Sequence, residues 1–149
     1  MEKGIGLVEL IKTQLEIKDI DIRNLSPVVL AYIGDSIYDL VIKTTIVEQG
    51  NKSASQLHKI VTKYVKAECQ AMIIEAIEEN LSEEELGVYK RGRNAKVNTS
   101  AKNASIQEYR KATGFEALVG YLYLNEEYTR VIEIVKEGLE KIDVEIVRN

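Results

Sequence analysis

The sequence predicts an all-α fold. Three observations carry that reading: apolar residues recur at helical rather than alternating spacing, helix-start signals precede most of those runs, and proline occurs once in the chain. At 149 residues the length suits one domain with a substantial core, and residues 1–149 are read as a single unit with no linker and no internal repeat.

The first twenty residues show a weak amphipathic pattern (Leu7, Val8, Ile11, Leu15), which predicts a short N-terminal extension helix. Ser26-Pro27 reads as an N-cap followed by proline at the first helical position, with Gly50 as the stop. Between them Val29, Ile33, Ile37, Leu40 and Val47 line one face and Val28, Ala31, Ile42 and Ile46 another, so this helix is expected at the centre of a bundle. Ser53 caps a helix expected to run to about Asn80 on Leu57, Ile60, Val61, Val65, Ile74 and Ile77. Ser82-Glu83-Glu84-Glu85 is a capping box for a short helix ending near Tyr89, and a loop rich in turn formers follows from Gly92. Ser105-Ile106-Gln107-Glu108 is a second box, opening a helix through Leu124. Asn125-Glu126-Glu127 precedes a last helix on Val131, Ile134, Val135, Leu139 and Ile142. Five to seven helices are expected.

Composition excludes several chemistries. One cysteine, Cys69, rules out an internal disulfide and multi-thiolate metal sites, and one histidine, His58, makes zinc a poor fit. On one continuous helix those two residues would stand about 16 Å apart, too far for a Cys–His pair. No apolar run reaches membrane-spanning length and the N-terminus has no signal-peptide character, so a cytosolic protein is expected. Net charge is −4. Yet from Leu86 to Gln107 the chain carries Lys90, Arg91, Arg93, Lys96 and Lys102 with no acidic residue, and Lys59, Lys63 and Lys66 form a second basic stripe beside His58. Both are candidate phosphate-binding surfaces, and Asn94 adds a polar group to the first.

Two nearly apolar, helix-compatible stretches each carry an isolated carboxylate: Asp35 in Val28–Tyr38 and Glu116 in Ala112–Leu124. A carboxylate removed from water costs several kcal/mol unless something compensates it, and neither has a basic residue within a helical turn. If the two converge, a divalent cation is the simplest compensation; a pair of hard oxygen ligands suits Mg2+.

The residues around the acids, Ala31-Tyr32-Ile33-Gly34-Asp35-Ser36-Ile37-Tyr38 and Phe115-Glu116-Ala117-Leu118-Val119-Gly120-Tyr121-Leu122, resemble those of a ribonuclease III catalytic domain. Their order and separation, with Lys90-Arg91-Gly92-Arg93-Asn94-Ala95-Lys96 between, resemble more narrowly the Mini-ribonuclease III branch, which lacks a double-stranded-RNA-binding domain. The similarity runs from about 25 to about 142. It implies an Mg2+-dependent endoribonuclease acting on double-stranded RNA as a homodimer, with Asp35 and Glu116 as catalytic metal ligands. It further implies cuts that leave two-nucleotide 3′ overhangs, maturation of 23S ribosomal RNA precursor ends, and help from a large-subunit ribosomal protein. Ala31 and Thr113 stand where typical ribonuclease III has two further carboxylates, a reduction that the Mini-III branch shares. RNA binding is expected from His58, Lys59, Lys63, Lys66, Lys90, Arg91, Arg93, Asn94, Lys96 and Lys102. The alternatives are a catalytically silent domain of the same fold acting as an RNA-binding ribosome-assembly factor, or a plain helical interaction module. The second explains neither acid, and the first is disfavoured by the intact pair.

Overall fold

The computed structural model describes residues 6–95 and 105–142. Among these are seven α-helices and no strand: α1 (Leu7–Gln14), α2 (Pro27–Val47), α3 (Ala54–Val65), α4 (Ala67–Ile77), α5 (Glu83–Arg93), α6 (Ile106–Leu124) and α7 (Tyr128–Lys141). Short 3₁₀ turns at Ile22–Asn24 and Glu78–Asn80 complete the order. No helix among the described residues is long and apolar enough to cross a membrane.

Helix starts follow local chemistry. Ser26 accepts the Val29 N–H at 3.2 Å, with Pro27 supplying the first helical position of α2. Ser53, Ser82 and Ser105 open α3, α5 and α6 with reciprocal capping boxes, their N3 partners being Gln56, Glu85 and Glu108. At α7 the cap differs from expectation: Glu127 makes no side-chain cap bond, and Asn125 donates instead to the Glu127 carboxylate at 2.7 Å. Gly50 follows α2 at φ +127°, a backbone state that glycine adopts without steric penalty.

Two helix boundaries move. The helix expected from Ser53 to about Asn80 breaks at Lys66, whose ψ of 155° is extended. No glycine or proline marks the break; one tertiary and one local side-chain contact hold it. The buried Tyr38 hydroxyl donates to the Tyr64 carbonyl at 2.6 Å, and the Gln70 amide donates to the Val65 carbonyl at 3.3 Å. Both carbonyls would otherwise be left without intrahelical donors. His58 and Cys69 therefore sit on different helices, α3 and α4, and the single-helix spacing argument no longer applies to them. His58 is exposed while Cys69 is buried. Helix α5, expected to end near Tyr89, continues to Arg93, so Lys90, Arg91 and Arg93 occupy its last turn, where positive charge favours the helix dipole.

The central helix is α6, not α2. It packs against α2, α4, α5 and α7, and from Ala112 to Tyr123 every residue except Glu116 is buried. One side of α2 presses on α6, with Tyr38 meeting the Phe115 ring edge-on at 5.3 Å. Its other side leaves Val28, Val29, Tyr32 and Leu40 exposed, Tyr32 at 81%. The near-complete apolar girdle of α2 thus reflects a second, open face rather than a position inside the fold. A buried pair ties α5 to α7: Arg130 donates to both Glu85 oxygens at 2.7 and 2.9 Å, holding that carboxyl below the usual range. The N-terminal α1 buries only Val8, whose N–H donates to the Tyr128 hydroxyl at 3.1 Å.

Candidate active site

Asp35 and Glu116 converge where α2 crosses α6. The crossing is close because neither helix has a side chain at the contact: a Cβ on Gly34 would lie 1.7 Å from the Glu116 carbonyl oxygen, and one on Gly120 would lie 2.0 Å from the Leu30 carbonyl oxygen. Each glycine therefore admits the other helix's backbone, and the acids beside them meet.

The two carboxyls differ in setting. Glu116 is half-buried and Asp35 is exposed on α2, so the expectation that both are withdrawn from water applies to Glu116 alone. Burial is the main cause that pushes the Glu116 carboxyl up to about 9, and its hydrogen bond and charge contact with Asp35 add to this. A hydrogen bond from the Gln70 amide opposes the shift. At neutral pH the protonated form of Glu116 is therefore favoured. The ion pairs nearest in sequence, Lys43–Asp39 and Lys111–Glu75, use other carboxylates, so no basic side chain relieves the pair from these positions.

Gln70 is the site residue that the sequence reading missed. It is 2% exposed on α4 and contacts both the Val65 carbonyl and Glu116. An amide between Cys69 and Ala71 in an otherwise buried stretch was the available signal, since a buried polar group needs partners from outside its own helix. Ala31 and Thr113 supply no carboxylate here. Ala31 is buried, and the buried Thr113 hydroxyl donates to the Tyr109 carbonyl at 3.0 Å. Among the described residues no group of three or more His, Cys, Asp or Glu side chains stands together, so the acid set at the crossing is two.

That donor set fits a hard divalent cation. Two carboxylates with waters and substrate oxygens form the usual surroundings of Mg2+, and such an ion would stabilise the ionised form of Glu116 that burial and Asp35 disfavour. Asp35 and Glu116 would hold it.

The basic residues divide by position. Lys90 and Arg91 are exposed on the last turn of α5, and Arg93 is half-buried with its guanidinium 5.6 Å from the centre of the Tyr89 ring. Arg93 also donates to the Asn94 side chain at 3.2 Å. Lys96 and Lys102 lie outside the described residues. Lys59 and Lys63 are exposed on α3 beside His58, whereas Lys66 sits in the extended joint and pairs with Glu68 at 3.8 Å, so the expected three-lysine stripe is interrupted.

The profile of the Ribonuclease III domain matches residues 28–127, a span containing both acids and both crossing glycines. Mini-ribonuclease 3 of Clostridium tetani is 51% identical over 117 residues, covering 78% of this chain and 78% of that protein. Mini-ribonuclease 3 of a Thermoanaerobacter species is 47% identical over 144 residues, covering 96% and 99%. Among solved structures, a Fusobacterium nucleatum protein superposes with a TM-score of 0.75 at 30% identity over 82% of this chain and 99% of that one. The crossing that joins Asp35 to Glu116 thus lies inside a match that spans most of the fold, and the chain belongs to the ribonuclease III family, on its Mini-ribonuclease 3 branch, as an endoribonuclease.

Proposed function

We propose that this endoribonuclease cleaves double-stranded RNA with Mg2+ held by Asp35 and Glu116, and that its substrate is the 23S ribosomal RNA precursor. The observation that carries the site is the convergence of the two acids at the Gly34–Gly120 crossing, with Glu116 half-buried and lacking a cationic partner in its own helix. When bound, the ion supplies positive charge for the phosphoryl oxygens and acidifies the attacking water. The protein's own part is positional. Glu116 and the exposed Asp35 carboxylate would hold the ion, and Gln70 on α4 positions the Glu116 carboxyl. Residues 25–142 form the catalytic core of a single domain.

Duplex recognition falls to basic side chains placed by shape, because RNA shows phosphates and 2′-hydroxyls across a shallow minor groove. Lys90 and Arg91 at the end of α5 are the primary contacts, with Arg93, Asn94, Lys96 and Lys102 extending them. His58, Lys59, Lys63 and Lys66 form a second patch. The exposed Val29, Tyr32 and Leu40 face of α2 supports a homodimer, since a contiguous apolar helix face beside the candidate site favours pairing with a second copy. A large-subunit ribosomal protein presenting the precursor, and a cytoplasmic setting, complete the proposal.

The test is cleavage of labelled duplex RNA, its single strands and a 23S precursor stem, each with Mg2+ and with EDTA. Duplex-specific, Mg2+-dependent cuts that leave 3′ overhangs are expected. Equal cleavage of single strands, or full activity in EDTA, would overturn the reading. Light scattering should give twice the 16.8 kDa chain mass, and a fully active monomer would remove the dimer.

A further inference from the structure

Where α5 closes against the α2–α6 crossing, a cavity of about 120 Å³ opens beside the Ile22–Asn24 turn. None of its lining residues belongs to the Asp35–Glu116 pair. Leu30 and Val88 form apolar wall, and Arg23, Arg91, Glu84 and Tyr121 supply the polar groups. Glu84, Val88 and Arg91 share one face of α5 because they are four and three residues apart.

Three of the four polar groups are held in place. The Tyr121 hydroxyl donates to Glu84 at 2.5 Å, and Arg23 is clamped by Asp21, its Nε and terminal nitrogen reaching the two carboxylate oxygens at 3.1 and 2.9 Å. The arginine ion pairs among the described residues are those of Arg23 and Arg130, so the Arg91 guanidinium keeps its donors for a ligand. Glu84 and Arg91 in the lining carry opposite charges, and Asp21 just outside it offsets Arg23, so the site is near neutral. A bare phosphate would meet Glu84, and a cation would meet both arginines; a neutral group that both donates and accepts meets neither obstacle.

We propose that this cavity binds a guanine base, presented by a free guanine nucleotide or by an unpaired guanosine in RNA. The volume is several times the ~30 Å³ share of one water, room for a small planar ring system. Its apolar walls take the faces of the ring. Guanine carries two adjacent N–H donors on its Watson–Crick edge, which match a carboxylate, and two acceptors, O6 and N7, which match a guanidinium. Adenine and cytosine set a ring-nitrogen lone pair beside their amino group, which would face the Glu84 oxygens. Uracil offers one donor between two carbonyls. A Glu84 oxygen that already accepts from Tyr121 retains a second lone pair, so the tyrosine orients the carboxylate without using it up.

The test uses the purified full-length chain. Calorimetry would measure binding of GMP, IMP, AMP, CMP and UMP, and a filter assay would compare an RNA hairpin carrying one unpaired guanosine with the same hairpin carrying adenosine. GMP should bind at least about tenfold tighter than AMP, CMP and UMP, the selectivity of one bidentate contact. GMP should also bind severalfold tighter than IMP, which lacks only the 2-amino donor, a comparison that needs no variant. Glu84→Gln should erase the guanine preference, and Glu116→Gln should leave it intact, which keeps the outcome independent of the cleavage chemistry. A preference in the hairpin alone assigns the base to RNA, and one with GMP alone assigns it to a free nucleotide. No guanine preference with either probe, or a preference that survives Glu84→Gln, would overturn the proposal.

Discussion

Replacing Gly34 by alanine should damage both stability and cleavage, because its Cβ has nowhere to go. The nearest atom is the Glu116 carbonyl oxygen at 1.7 Å, followed by the Glu116 carbonyl carbon at 2.7 Å and the Gly120 nitrogen at 2.8 Å, all backbone. Ordinary contact begins near 3.4 Å, so α2 and α6 must part by up to about 1.7 Å. Overpacking relieved by side chains costs ~1–3 kcal/mol. Here two backbones must move, which puts the cost at about 3 kcal/mol or above. In a domain of this size each kcal/mol lowers Tm by roughly 2–4 °C, so a fall of about 6–12 °C is expected. The same separation pulls Glu116 from Asp35, and a displacement of ~1 Å at reacting groups can cost on the order of 100-fold in rate. Gly87 supplies the control. Its nearest neighbour is the flexible tip of Arg91 at 3.5 Å, and alanine in a helix should add about 0.4–1 kcal/mol through the unfolded chain. Circular dichroism melts at matched concentration, with cleavage measured well below both transitions, would separate the two. Gly34→Ala melting within about 2 °C of the parent at full activity would refute the close crossing.

Four further outcomes are expected. Because the folded Glu116 carboxyl titrates near 9 and its unfolded counterpart near 4.5, its stabilising contribution is complete below about 4.5 and is lost as pH rises towards 9; the Tm advantage of Glu116→Gln over the parent should therefore widen across that window. Mg2+ binding at pH 7 should release about one proton, read by calorimetry in buffers of different ionisation enthalpy, and zero release would contradict a protonated Glu116. Arg130→Ala strands the buried Glu85 carboxylate and should cost about 2–4 kcal/mol in chemical denaturation at pH 7. That loss should shrink as pH falls below the ordinary carboxylate range, since Glu85 is lowered in the fold. Replacing Arg91, Arg93 and Lys96 together by alanine should weaken duplex binding and lower the log–log salt slope by roughly 0.7–0.9 per lost phosphate contact; unchanged affinity and slope would move recognition to the Lys59–Lys63 face of α3.

Much of this was legible in the residues. Ser53 as an N-cap and the Ser82 and Ser105 capping boxes marked the starts of α3, α5 and α6, because capping is a local device. The lone carboxylates marked Asp35 and Glu116 for the same reason, one charge in an apolar run. What escaped the sequence was decided at a distance. The break at Lys66 depends on Tyr38 and Gln70 reaching the Tyr64 and Val65 carbonyls, and nothing between Tyr64 and Ala67 announces it. The reach of α5 to Arg93 rests on Gly92 lying against Gly114 and Ala117 of α6. The exposed face of α2 reads as core in sequence because apolar residues at helical spacing look the same whether the fold covers them or leaves them open. Gln70 sits as a lone amide in a buried stretch, a signal that says it needs partners but not that they are Glu116 and the Val65 carbonyl.

The central claim is that Asp35 and Glu116 together hold the ion that cuts duplex RNA. Its most direct measurement is single-turnover cleavage of a duplex by Asp35→Asn at saturating Mg2+, alongside the affinity of that variant for the same RNA. The substitution keeps the volume of an exposed side chain and removes one ligand charge, so folding and RNA affinity should stay close to the parent while the cleavage rate falls by at least about 100-fold. A variant that retains a substantial fraction of the parent rate with the RNA bound would contradict the claim and place the chemistry elsewhere in the fold.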